Sequence, residues 1–367
     1  MPINYFHTMQ FSFKEKIVKN ALHQNILLFS LSLVLYNFRI LIRYHYSHVF
    51  FNDCEYACLA ITYQKCGFIS RGLMPSIYEA IGLNNKLMLY LLSNVYIAIT
   101  TFCVLQIGKY YKNIFFSIAI LLSSFGILHQ TTLLLKPDQV VYLLFFVGYI
   151  LILKGNLKLF FVISFISMFV HEVSVFLFIP IYFLHRKNNF GFYVYSFIML
   201  LLFILIAIGS TKVSENICIE LMKNYTGLQE IPLLFYRQRV STITQTVSEV
   251  YAENNMALTL LVLIILLIAN YYIFKDIYKK TSSIFNYLFL FPLALCFVAI
   301  DWMRWISMVY ILSILYLQHQ QAINTIIVKR LLLLSVCIGI PLTINLIFSP
   351  LMLFLKIVFL SIYTLVH

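Results

Sequence analysis

Long apolar runs, broken by short basic segments, constrain this chain more than any other feature. They fall at about 24–42, 87–107, 113–128, 140–153, 191–209, 257–274, 283–300, 304–318, 331–347 and 351–366. A membrane-spanning helix needs roughly 20 apolar residues. A strand of a membrane barrel would instead alternate apolar and polar side chains, so a β-barrel is excluded. Composition agrees: 62% of the chain is hydrophobic and 11% is charged, against about 25% charged in a soluble domain. The apolar content leaves room for roughly ten or eleven spans. The net charge of +13 comes from 26 Lys and Arg against 13 Asp and Glu. These cations sit between apolar runs, a topology signal, so nucleic acid is not expected as a partner. The expected fold is all-α: a polytopic integral membrane protein with about 10–12 transmembrane helices, one transmembrane domain over 1–367, with extracytoplasmic loops 43–85 and 211–255.

One apolar stretch resists assignment. Residues 159–184 are interrupted by His171-Glu172 and again by Pro180. A single helix would bury the ionisable pair at mid-depth. Two short arms would make a broken or re-entrant hairpin, which survives only where protein or water shields its backbone. The positive-inside rule arbitrates. With Lys14, Lys16 and Lys19 cytoplasmic, Lys109/Lys112 and Lys154/Lys158 are cytoplasmic too. A single span would send His185-Arg186-Lys187, Lys275, Lys279 and Lys280 outside, whereas a hairpin keeps them inside with Lys329 and Arg330. The hairpin is therefore expected, with arms of about 18–20 Å at 1.5 Å per residue that meet near the outer leaflet. Segment 43–85, the turn 129–138, His171-Glu172, segment 211–255 and Asp301–Arg304 then share the outer face.

Other features are negative or bland. Cys103, Cys296 and Cys337 lie inside apolar runs and read as small core residues. Cys54, Cys58, Cys66 and Cys218 lie in polar segments, and nothing fixes a pairing among them. No cleavable signal peptide is expected, because no small-residue cleavage pattern follows the first apolar run. There is no phosphate-binding loop of the nucleotide-hydrolase type and no His/Cys spacing of a zinc site. No cofactor or metal is expected.

Several outer-face residues could carry chemistry. Asp301-Trp302-Met303-Arg304-Trp305 places an acid and a base three apart, on one helix face. An interfacial aromatic belt with Asp301 as a cap explains the tryptophans, but a belt needs no arginine on the outer side. His171-Glu172 puts two titratable groups inside an apolar stretch. It is either a polar lock between helices or a base and its partner. Arg71-Gly72 joins a guanidinium fork to backbone that can approach an oxyanion closely. Asp53 is the other membrane-proximal acid on this face, whereas Glu55 and Lys65 read as solvated loop charges. In Lys136-Pro137-Asp138 the proline suits a helix start and the helix dipole accounts for Asp138. Lys136, on the outer side, would suit a phosphate or a snorkelling position. Segment 211–255 mixes Arg237 and Arg239 with glutamates and with Tyr225, Tyr236 and Tyr251, a composition that suits a sugar.

Taken in order, Asp53, Ser70-Arg71-Gly72-Leu73, Lys136-Pro137-Asp138, His171-Glu172 and Asp301-Trp302-Met303-Arg304-Trp305 resemble short motifs of bacterial surface-polysaccharide proteins. The resemblance is to O-antigen polymerases and related membrane glycosyltransferases that act on polyprenyl-linked sugars. Segment 211–255 departs from that family in lacking a repeated Arg-spaced-Gly motif. The resemblance implies a multi-pass protein of the bacterial inner membrane, with a cytoplasmic N-terminus and a site facing the periplasm. The implied substrate is a polyprenyl-pyrophosphate-linked glycan. Partners would be the lipid bilayer and a chain-length regulator protein. A glycan would pass from its polyprenyl pyrophosphate to the sugar end of a second lipid-linked unit. Such a step needs a base for the acceptor hydroxyl and cations for the departing pyrophosphate. The implied roles are Glu172 as base with His171 as partner, and Asp53 as the rival base. Arg71, Lys136 and Arg304 would hold the pyrophosphate, Asp301 would orient Arg304, and Arg237 and Arg239 would bind glycan. Three rivals remain open at this point: a flippase for the lipid-linked unit, a membrane acyltransferase modifying the polysaccharide, and a non-catalytic scaffold.

Overall fold

The computed structural model describes residues 23–38, 40–41, 59, 62–66, 72–83, 86–122, 137–185, 190–209, 220–221, 268, 291–292, 302–319, 326–327 and 329–330. Among these residues the fold is all-helical, with no strand. The elements are α1 (23–38), α2 (Tyr63–Cys66), α3 (Leu73–Ala80), α4 (Lys86–Tyr110), α5 (Ile114–Leu122), α6 (Pro137–Leu153), α7 (Leu157–Val170), a 3-10 turn (Glu172–Ser174), α8 (Val175–His185), α9 (Phe190–Gly209) and α10 (Trp302–His319). Segment 43–85, expected as a loop, therefore contains two helices, α2 and α3. Apolar runs 257–274, 283–300, 331–347 and 351–366 lie essentially outside the described residues.

Tight turns set the antiparallel order. After α6, Gly155 takes φ +76 and the amides of Gly155 and Asn156 return to Ile152 O and Leu151 O at 3.0 and 2.9 Å. This pattern satisfies the last carbonyls of a helix. Asn156 then caps α7 by accepting from Leu159 N–H at 3.2 Å. At the α4–α5 turn, Asn113 accepts from Phe115 N–H at 3.0 Å and donates to Gln318 of α10 at 2.9 Å.

The awkward stretch 159–184 breaks at His171, not at Pro180, which sits inside α8. Phe160, eleven residues before His171, stacks on Tyr182, eleven residues after it, at 5.8 Å. One continuous helix would hold these rings about 33 Å apart. The chain therefore reverses at His171-Glu172, and α7 and α8 form the two arms. Gly148 of α6 lets both arms approach: a Cβ there would lie 2.8 Å from Phe178 Cε1 and 3.6 Å from Phe160 Cδ2.

Val175 to Leu184 of α8 are all buried, so this helix is central. The helices around it bury small polar groups together with large apolar ones, and expose further large apolar side chains. On α4, Ser93, Thr100 and Thr101 are buried, while Leu91, Val95, Ile99 and Phe102 are exposed at helical spacing. On α9, Phe192, Tyr195 and Met199 pack inward, while Phe190, Phe197, Leu201 and Leu205 face out. Among the described residues one helix, Leu87–Tyr110, is long and apolar enough to cross a membrane by length and composition. Shorter apolar helices are Pro137–Leu153, Leu157–Val170, Glu172–His185, Phe190–Ile206 and Ser307–His319.

A polar clasp ties α1 to α4. Asn37 donates to Asn94 Oδ1 at 2.9 Å and to Leu33 O at 2.9 Å, and Tyr90 donates its hydroxyl to Asn37 Oδ1. Gln139 of α6 donates to Tyr36 of α1 at 3.0 Å.

Candidate functional site at the hairpin tip

Helix α7 ends because His171 leaves helical geometry for an extended conformation, φ −160 and ψ 121. Its N–H still closes the last turn on Ser167 O at 2.9 Å, and its carbonyl accepts from Ser174 N–H at 3.0 Å. The tip is thus hydrogen-bonded on both sides. The hydroxyls of Ser167 and Ser174 lie 3.0 Å apart beneath it, and Ser174 donates to Met168 Sδ at 3.4 Å.

Extended backbone at His171 lets neighbouring side chains meet, which successive residues of a helix cannot do. His171 Nδ1 lies 3.2 Å from Glu172 Oε2, with His171 1% and Glu172 14% exposed. Val173 N–H also approaches Nδ1, at 3.4 Å. The contact with Glu172 is an ion pair only when the imidazole is protonated, and in the neutral ring Nδ1 accepts from the Val173 amide. Such a pair can take a proton from a hydroxyl at Glu172, the more open member, while the buried ring stabilises the charge.

Three further elements reach this end. Helix α10 is buried from Ser307 to Gln318 and ends with His319 against His185 of α8, ring centroids 5.1 Å apart. Arg304 lies 15 residues before His319, and His171 lies 14 before His185. The first turn of α10 therefore stands at the height of the hairpin tip. The side chain of Arg304 lies outside the described residues. Helix α3, which follows Arg71-Gly72, packs against α7. Helix α6 begins at this same end with Pro137-Asp138.

Asp138 differs from its sequence reading. A surface cap would stay in water, but Asp138 is 2% exposed. First-turn dipole stabilisation is about 0.3–1 kcal/mol, whereas burying a carboxylate costs several, so the dipole alone does not account for it. Gly148 meets Phe160, and Asp138 is ten residues from the one as His171 is eleven from the other. Asp138 and His171 thus lie at about one height on adjacent helices. Lys65 also departs from expectation. It pairs with Glu79 at 2.6 Å, and with Thr62 its hydrogen bond holds the Glu79 carboxyl below its usual range. Ser76 fastens the same corner, accepting from Tyr63 N–H and donating to Gly72 O, both at 2.7 Å.

Of the residues expected in a site, His171 and Glu172 are brought together. Asp53, Arg71, Lys136, Arg237, Arg239 and Asp301 lie outside the described residues. Glu79 and Asp138 are contributions that sequence reasoning missed or discounted. Among the described residues no group of three or more His, Cys, Asp or Glu is arranged to hold a metal ion. Cys103 is buried and unpaired, as its apolar context suggested. Comparison with protein-family models, with curated proteins and with solved structures finds no match to this chain.

Proposed function

We propose that this chain is a polytopic membrane glycosyltransferase that polymerises polyprenyl-pyrophosphate-linked oligosaccharide units at the outer face of the bacterial inner membrane. Membrane residence is supported by the large apolar side chains that the bundle exposes. Stripes such as Leu91, Val95, Ile99 and Phe102 are exposed while serines and threonines are buried, which suits a hydrocarbon solvent. Orientation is supported by charge. Lys109, Lys112, Lys154 and Lys158 are exposed at one end, and the hairpin tip with Glu172 and Asp138 is at the other, as the positive-inside rule requires for an outward-facing site.

The observation that carries the enzymatic reading is the close contact of His171 and Glu172, with Nδ1 3.2 Å from Oε2. It sits at a helix break, level with the turn that bears Arg304, and helix α7 leading into it packs against the helix that follows Arg71. Glu172 removes the proton from the acceptor sugar hydroxyl, and His171 holds the resulting charge. The hydroxyl oxygen bonds to the anomeric carbon of the donor glycan. The bond from that carbon to the pyrophosphate oxygen breaks, and polyprenyl pyrophosphate leaves with its electron pair. Arg71, Lys136 and Arg304 neutralise that leaving group, Asp301 orients Arg304, and Arg237 and Arg239 contact glycan. Asp53 is the rival base. The donor is already activated, so the step uses no nucleotide.

The test is deletion of the gene, followed by a gel of the surface glycolipid and complementation with Glu172→Gln. Deletion should collapse the ladder to core plus one unit. Glu172→Gln should fail to restore it, with a rate loss of about 10²–10⁴-fold in an assay on lipid-linked units. An unchanged ladder would refute the polymerase reading and turn attention to acylation. Loss of even the single unit would favour a flippase.

A further inference from the structure

Among the described residues, three helices end with the same backbone device. Two residues past the ends of α3, α6 and α4, the chain adopts a left-handed conformation: Gly82 at φ +67, Gly155 at φ +76 and Lys112 at φ +54. In each, the following amide returns to a carbonyl five residues back: Leu83 to Tyr78, Asn156 to Leu151 and Asn113 to Gly108, at 2.8–2.9 Å. Glycine takes this conformation freely, whereas a residue with a Cβ is strained there. Two of the turns use glycine and the third keeps a lysine. Satisfying a charge bias alone would not require that position, since the neighbouring exposed Tyr110 could carry the lysine without strain.

Lys112 has company. Tyr111 and Tyr149 hydroxyls lie 3.0 Å apart, so the α4–α5 turn abuts the end of α6 and its turn. Exposed Lys109 and Lys112 thus face the same bundle end as exposed Lys154 and Lys158. Beside them, Leu159 and Val162 of α7 and Phe102 of α4 expose apolar side chains. Glu79, Asp138 and Glu172 are at the opposite end. The geometry points to a binding site for an anionic phospholipid of the inner leaflet. The lysines of the two turns take the headgroup phosphate, Lys112 is fixed for that contact by its turn, and the acyl chains lie along the apolar side chains. This site rests on the membrane reading and is independent of the enzymatic one.

The test uses the full chain in nanodiscs of phosphatidylcholine, with or without phosphatidylglycerol. It reads the unfolding midpoint and the lipid retained in native mass spectra. Wild type should gain stability from phosphatidylglycerol and retain it. Lys112→Gly should raise the midpoint in phosphatidylcholine alone, because strain is relieved, yet bind phosphatidylglycerol about fivefold more weakly. Lys154→Gln should weaken binding similarly without the gain in midpoint. If both variants respond to phosphatidylglycerol as wild type does, the site is wrong. It is equally overturned if soluble glycerol phosphate reproduces the shift, since the ligand is then not a lipid. A protein that enters no bilayer and stays in the aqueous fraction overturns the membrane reading and this site with it, a failure visible before any anionic lipid is added.

Discussion

Replacing Gly148 by alanine sets two effects of opposite sign against each other. In a helix interior, glycine to alanine is stabilising by about 0.8–1.0 kcal/mol through propensity. Here the new methyl would lie 2.8 Å from Phe178 Cε1, with Phe160 Cδ2 at 3.6 Å. Ordinary contact needs roughly 3.5–4.0 Å between carbons, so the Phe178 ring must retreat by most of an ångström. It has little room, because Phe145 and Phe160 hold it with ring centroids 5.7 and 5.8 Å away. Overpacking of this kind costs typically about 1–3 kcal/mol. The overpacking term is the larger, so Gly148→Ala should destabilise by about 1 kcal/mol net. The assay is reversible unfolding in mixed detergent micelles, as a double-mutant cycle with Phe178→Leu. The smaller side chain should make Gly148→Ala neutral or stabilising, and the cycle should show coupling of about 0.5–3 kcal/mol. A Gly148→Ala protein more stable than wild type, with no coupling to Phe178, would refute the close approach of α8 to α6 and the hairpin register built on it.

Two further outcomes follow from the corners of the bundle. Lys65 and Thr62 hold the Glu79 carboxyl below its ordinary value of 4.5, so its contribution to stability is present above that value and is lost as pH falls through its depressed folded value. Lys65→Met should flatten that acid limb in an unfolding-midpoint series, and an unaltered limb would show the pair to be inert. Asn37→Leu removes the bonds to Asn94 and Tyr90 and should cost about 0.6–1.7 kcal/mol, with Asn94→Leu adding less than its own single effect. Full additivity would mean the clasp does not act as a unit.

The periodic part of this architecture was legible because apolar length and basic punctuation are local properties. The hairpin at His171 was legible from the basic clusters that follow 159–184, because a single span would have sent them outside. Pro180 gave a false signal, since a proline in α8 is tolerated where tight packing encloses it. Glu79 was not legible as the partner of Lys65, because the pair is 14 residues apart and meets only when α2 and α3 fold together. Asp138 looked like a helix-start residue, and its burial depends on neighbours from other helices. The role of Gly148 was invisible, since a glycine in an apolar run says nothing of the rings that press against it. Lys112 looked like topology until its backbone angle was known.

The enclosure of α8 bears on how the protein is made. A helix of eleven residues, Val175–His185, reaches about 16 Å at 1.5 Å per residue, about half of a ~30 Å hydrocarbon core. On the proposed membrane reading, a nascent chain cannot leave this segment alone in lipid, because backbone at its ends would lack partners. Helices α4 to α6 emerge from the ribosome first and can supply walls for α7 and α8 to enter together as a folded hairpin. Helix α10 then seals the far side, more than a hundred residues later. Until it arrives the central helix is open on one flank, the stage at which a quality-control protease or an insertion chaperone would meet it.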